Sequence, residues 1–184
     1  MQMLNALLRT AQRETRSVEA RTVLSDASNR VGAMAAAQQV LYEAGNATTY
    51  SAKGFLEGVC ASAKQAFGGT INISIADCTF TRLSNDTAMP LALILNELLT
   101  NAAKHGRNEK GGGSIQVRLS KAPDAYVLEV EDDGPGFDAG DANKRASGLG
   151  LVSGLARQLG GTLKVERTPG ARCLVQFVDR GAAY

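Results

Sequence analysis

Histidine is almost absent from this chain: of 184 residues only His105 is one, and the three cysteines, Cys60, Cys78 and Cys173, stand alone with no C-x-x-C spacing. A single imidazole and scattered thiols cannot complete a zinc site or a disulfide framework, so the cysteines read as free thiols in a reducing compartment. Aromatics make up 5% of the chain, and twenty basic against eighteen acidic residues are spread along it to a net +2. A chain without a basic patch or stacking rings does not fit nucleic acid as a partner. No segment approaches the ~20 consecutive apolar residues that span a bilayer, and Met1 is not followed by the basic-then-apolar order of a signal peptide. The sequence therefore predicts a soluble, cytoplasmic chain that makes no membrane contact.

What is present is enough for a core: 44% of residues are hydrophobic, which fits one domain with a helical appendage. Apolar or small side chains recur at Met1, Leu4, Leu8 and Ala11, then at Ala20, Leu24, Ala27, Val31, Met34 and Leu41 with Gln38 filling a gap. The second series steps by four and three, as a coiled-coil seam does. Ser17 can cap a second helix, so residues 1–46 are expected to form an antiparallel helical hairpin. Two narrow-striped helices cannot shelter their own seams, and pairing with a second copy in a four-helix bundle is the expectation. Gly45 is a plausible helix stop and Ser51 the next cap, which puts the boundary in "AGNATTYS" and a second unit over 51–184.

In that second unit Phe55, Leu56, Val59, Cys60, Ala63 and Phe67 mark a helix, followed by short strands in "TINISIAD" and "CTFTRL". A helix from Met89 to about His105 comes next. Strands "SIQVRLS" and "AYVLEVED", a Gly/Asp loop, a helix from about Gly148 to Leu159, and strands "GTLKVER" and "RCLVQFV" complete the chain. Strict βαβ alternation is missing, so the predicted class is α+β, a mixed and mostly antiparallel sheet covered by helices on one face.

On the helix ending at His105, Leu91, Ile94, Leu95, Leu98 and Ala102 fall on one side, while Glu97, Asn101 and Lys104 share the other. Such a polar ridge is, by itself, what any solvated helix face looks like. Downstream, "VLEVEDDGPGFD" is a strand ending in Asp132, then Asp133, Gly134, Pro135 and Gly136. A carboxylate at a strand end can accept from an exocyclic amine, and glycines let backbone close on a flat ring; alone, the same letters also make a surface turn. "ASGLGLVSGLARQLGG" begins a helix with Gly148 and Gly150, leaving N–H groups free for an anion, although glycine also serves as an ordinary cap there.

Taken together and in this order, the three segments resemble the GHKL ATPases, the Bergerat fold shared by sensor histidine kinases, gyrase, MutL and heat-shock chaperones. "NELLTNAAKHG" looks like the N box, "DDGPG" the G1 box and "SGLGLVSGLARQLGG" the G2 box of histidine kinases of the HWE and HWE-related group. The resemblance runs from Ser51 to about Val178, and the hairpin looks like part of that group's dimerisation and phosphoacceptor region. It implies ATP and Mg²⁺ as cofactors, with Asn101 as the metal ligand, Lys104 and His105 on phosphate or ribose, and Glu97 and Lys104 as catalytic residues, Glu97 polarising or deprotonating the attacking group. It further implies that Asp132 reads the adenine amino group, that Gly134 and Gly136 shape the adenine pocket, and that Ser147, Gly148, Leu149 and Gly150 cradle phosphate. A lid over about 137–147 would bring Lys144 and Arg145 to negative charge. The implied activity is transfer of the ATP γ-phosphate to a histidine in two-component signalling, with a homodimer through the hairpin and a response-regulator receiver domain as partner. An anti-sigma-type serine kinase of the same superfamily and a non-catalytic docking protein with a degenerate site are the alternatives.

The histidine such a kinase phosphorylates is absent from the first helix. "MQMLNALLRTAQRE" resembles the part of the family's helix just after it, which puts the acceptor about two helical turns upstream of Met1. That expectation leaves a trimmed chain, a late start and a relative without an acceptor all open, and it implies that this chain does not phosphorylate itself. His105, on the nucleotide-facing helix, would hold ATP rather than accept its phosphate.

Overall fold

The computed structural model describes residues 2–43, 49–68, 71–78, 82–105, 113–135 and 146–179. Two helices come first, α1 (Gln2–Glu14) and α2 (Val18–Glu43), packed as the expected hairpin. The Ser17 hydroxyl accepts from the Ala20 N–H at 3.2 Å, which makes Ser17 the cap of α2. The stop anticipated at Gly45 lies outside the described residues.

A two-stranded ribbon of β1 (Thr49–Ser51) and β3 (Arg82–Ser84) flanks α3 (Ala52–Ala66) and β2 (Ile71–Cys78). Ser51 caps α3 by accepting from the Gly54 N–H at 3.1 Å. Of the strand anticipated in "CTFTRL", Arg82–Ser84 pair with β1 and not with the main sheet, while residues 79–81 lie outside the described residues. After α4 (Asn85–His105), β4 (Gly113–Lys121) and β5 (Tyr126–Asp132) form an antiparallel pair, and α5 (Ala146–Gln158), β6 (Thr162–Arg167) and β7 (Ala171–Phe177) complete the fold. The main sheet has the order β2-β4-β5-β7-β6, parallel only between β2 and β4, where α4 supplies the crossover.

Alternation decides which face of the sheet is buried. Ile115, Val117 and Leu119 on β4, Leu128 and Val130 on β5, and Cys173, Val175 and Phe177 on β7 point into the core under α3, α4 and α5. The intervening Arg118, Glu129, Glu131 and Arg172 form an ion-pair network on the open face. This is the pattern of an antiparallel sheet covered on one side, and it bears out the α+β expectation.

α4 is longer and more buried than its periodicity suggested. It begins at Asn85, four residues before Met89, and continues through Pro90. The earlier start comes from a buried anchor. Ser84 caps the helix, its hydroxyl accepting from the Thr87 N–H at 3.3 Å. Asp179, just beyond β7, accepts from the Ser84 N–H at 3.0 Å and from the Thr87 hydroxyl at 2.7 Å, with a further bond from the Ser84 hydroxyl. A carboxylate at this end also complements the helix dipole. The ridge side of α4, readable as a solvated face, is covered as well: α2 packs across α4, and Glu97 is buried.

Candidate functional site

A cleft of about 320 Å³ opens between α4, β5, β7 and the start of α5. Asn101 and Leu98 come from α4, Asp132 and Val130 from β5, Ala171 and Cys173 from β7, and Leu149 from α5. Its walls are mostly apolar with two polar groups, Asn101 and Asp132, the make-up common to small-molecule pockets.

Asp132 is fixed by the turn it precedes. Its Oδ1 accepts from the Gly134 N–H at 3.1 Å and from the Ala171 N–H at 3.3 Å, tying the end of β5 to the start of β7. Gly170 makes that junction possible: a Cβ there would lie 1.8 Å from the Asp132 carbonyl oxygen and 3.0 Å from its Oδ1. Asp133 continues the ladder, its Oδ1 accepting from the Ser114 N–H at 2.7 Å. Gly134 is buried beneath this turn.

Asn101 carries the strongest mark of an unfilled role. Its side-chain nitrogen is buried and has no hydrogen-bond partner among the described residues. Leaving such a donor unmatched costs about 1–3 kcal/mol, and which end of the amide faces the cleft can be exchanged by a flip. Gly148 closes against it: a Cβ at 148 would stand 3.5 Å from both Asn101 side-chain atoms and 3.2 Å from Glu97 Oε2. A methyl there would crowd the Glu97 carboxylate, which must give by a few tenths of an ångström, and touch Asn101. At Gly150, by contrast, nothing among the described residues lies within 4 Å of such a Cβ.

The other two ridge residues are engaged by α2. Arg30 grips Glu97 with both ends of its guanidinium, Nε to Oε1 at 2.6 Å and Nη2 to Oε2 at 3.0 Å. That hydrogen bond raises the Arg30 pKa above its ordinary value against the desolvation that would lower it. Lys104 Nζ donates to Asp26 Oδ1 at 2.7 Å. His105 ends α4 half-buried and does not line the cleft. Ser147 lies in the first turn of α5, while Gly136, Lys144, Arg145 and the lid over 137–145 fall outside the described residues.

The structure thus brings Asn101, Asp132 and Leu149 into one cleft with Glu97 and Gly148 at its rim. Sequence reasoning missed the apolar walls Leu98, Ala102, Val130, Ala171 and Cys173, because apolar periodicity marks a pocket wall and a core residue alike. It also missed Gly170, for which "TPG" after a strand is only a turn signal, and Asp26 with Arg30, which nothing local links to α4.

Comparison with known proteins gives this geometry its class. The chain belongs to the histidine kinase-, DNA gyrase B- and HSP90-like ATPase family, whose model matches residues 86–180, just over half of the chain. A second model, described as histidine kinase, matches residues 1–67. The chain is 34% identical over 85 residues to blue-light-activated histidine kinase 2 of Erythrobacter litoralis, covering 45% of this chain and 25% of that protein. It is 35% identical over 99 residues to the sensor histidine kinase DcuS of Escherichia coli K12, covering 47% of this chain and 18% of that protein. It therefore spans a quarter or less of the length of these relatives. The histidine kinase domain of the E. litoralis EL346 blue-light-activated kinase shares the fold, with a TM-score of 0.72 at 24% identity over 97% of this chain and 96% of that one. Residues 86–180 are thus a domain of this ATPase family, and the relatives it resembles are sensor histidine kinases.

Proposed function

We propose that this chain is the ATP-binding catalytic region of a histidine protein kinase that transfers the γ-phosphate of ATP to a histidine in two-component signalling. The observation that carries the reading is the single cleft shared by Asn101, Asp132 and Leu149, three residues from three elements, with the Asn101 side-chain nitrogen buried and unmatched among the described residues. Bound Mg²⁺ would neutralise phosphate charge. Asn101 suits it as a protein ligand, because Mg²⁺ keeps most of its coordination for water and phosphate, and no cluster of three acidic, thiol or imidazole groups exists among the described residues to hold it otherwise.

On this reading each residue has a task. Asp132 accepts from the adenine amino group while its bonds to Gly134 and Ala171 hold it still. Gly134 and Gly136 leave room for the ring. The α5 N-terminus, with Ser147, Gly148, Leu149 and Gly150, offers N–H groups to phosphate. Lys104 supplies charge to the phosphates with His105 beside it, Lys144 and Arg145 add charge from the lid, and Glu97 polarises the attacking group. Positioning and charge neutralisation are what phosphoryl transfer needs from a protein. The hairpin serves as a dimerisation element, which the exposed apolar Met3, Leu7, Val18 and Val23 favour, and a receiver domain is the downstream partner. We place the division between hairpin and ATPase unit between residues 46 and 51, ahead of β1 and the Ser51 cap of α3; α3 itself packs on α2 as well as on β2 and α4.

The test is calorimetric. Asp132→Ala removes a charge-assisted hydrogen bond worth roughly 1.5–3 kcal/mol, about 10- to 150-fold in affinity. ATP and adenosine should weaken alike, and unchanged affinity would overturn the adenine assignment.

A further inference from the structure

On α2, Asp26 and Arg30 are one turn apart and share a face; on α4, Glu97 and Lys104 are two turns apart and also share a face. The pairs formed are Asp26 with Lys104 and Arg30 with Glu97, so the two helices cross in the antiparallel sense. In this antiparallel crossing all four charges are matched. Reversing α2 would set Asp26 against Glu97 and Arg30 against Lys104, like against like. Between the two pairs lies Asn101, whose amide nitrogen α2 leaves unpartnered. α2 therefore sits on the polar ridge with its charges in place of those that the phosphates would bring.

We propose that α2 is an electrostatic latch on the catalytic ridge of α4, and that the phosphates of ATP release it by taking Lys104 from Asp26. The proposal rests on the nucleotide reading above. The two pins differ in strength. The Arg30–Glu97 pair is bidentate and its carboxylate is 9% exposed, whereas Lys104 and Asp26 are 45% and 33% exposed. An exposed single-contact pair holds only a few-fold in an equilibrium, so the Lys104 pin is the one an incoming polyanion can exchange. Once Lys104 turns to phosphate, the Asp26 carboxylate faces that same phosphate and is repelled. The remaining pin, Arg30–Glu97, keeps Glu97 from acting on an acceptor until α2 moves. By linkage, whatever lifts α2 tightens ATP, and ATP loosens α2 to the same degree.

The experiment is a double-mutant cycle read by calorimetry on the full chain, with Mg·ATP and adenosine as probes. Asp26→Asn keeps the side-chain size at a half-exposed position, and circular dichroism checks that the helices persist. The latch requires Asp26→Asn to bind Mg·ATP about 3- to 5-fold tighter than wild type, with adenosine unchanged. In a Lys104→Gln background, where the exchanged cation is gone, the same substitution should give no gain. A gain that persists there would mean simple removal of a nearby negative charge, and the latch would be wrong. Unchanged ATP affinity in Asp26→Asn, while wild type binds both probes, also overturns it and leaves the nucleotide reading intact. A wild-type chain that binds neither probe refutes the nucleotide reading, and the latch with it.

Discussion

Asp132 shows how little slack a carboxylate lining the cleft has when it also holds two strand ends together. Gly170→Ala would drive a Cβ to within 1.8 Å of the Asp132 carbonyl oxygen, so either β7 or the end of β5 must shift. A loss of about 3 kcal/mol in urea unfolding is expected, together with weaker adenosine binding, since the carboxylate moves with its strand. Native-like stability with full adenosine affinity would contradict this account. Cys60 gives a separate, pH-dependent check. Burial pushes its thiol up to about 12 from 9.0, so the folded state keeps the proton while the unfolded chain loses it. Stability from this group is whole below pH 9 and falls between pH 9 and about 12 by at most about 1.4 kcal/mol per unit. Cys60→Ala should flatten that alkaline decline relative to wild type, measured as unfolding free energy against pH. Little of this was legible in sequence. "EDDGPG" announced a turn with an aspartate, but its dependence on Gly170, 38 positions away, exists only once β5 and β7 pair.

At the scale of elements, the α5 N-terminus depends on one missing side chain. Gly148→Ala improves helix propensity by up to about 1 kcal/mol, yet its methyl would stand 3.2 Å from a Glu97 carboxylate that Arg30 already holds. The expected outcome is a thermal midpoint within a few degrees of wild type and a fall in ATP affinity, as α5 backs away from Asn101. A variant that binds ATP as well as wild type would remove Gly148 from the site. The elements themselves were largely readable. Strict alternation in "SIQVRLS" and "YVLEVED" gave β4 and β5, and the serines before α2 and α3 gave their caps. The start of α4 was not, because Pro90 imitates a first-turn proline and the residue that anchors the true start, Asp179, lies 95 positions downstream of Ser84. Nor was the burial of the ridge, since a polar stripe facing another helix and one facing water have the same letters.

At the scale of the molecule, the one histidine ends α4 rather than sitting on the hairpin. We expect the chain to bind Mg·ATP without labelling itself from γ-labelled ATP; an acid-labile label that His105→Gln abolishes while ATP affinity persists would make His105 the acceptor. The hairpin's exposed Met3 and Leu7 should pair two copies, so Leu7→Glu should shift a dimer to monomer in light scattering. The Asp179 anchor bears on how the ATPase unit comes into being. During synthesis α4 can coil and take its Ser84 cap as soon as it emerges, but that cap lacks its Asp179 anchor and the sheet stays incomplete until the chain has been made 74 residues past His105, the end of α4, to Asp179. The cleft, walled by β7 on one side, is therefore among the last features to exist. A nascent chain halted before Asp179 presents the ridge of α4 without the pocket that gives it a use.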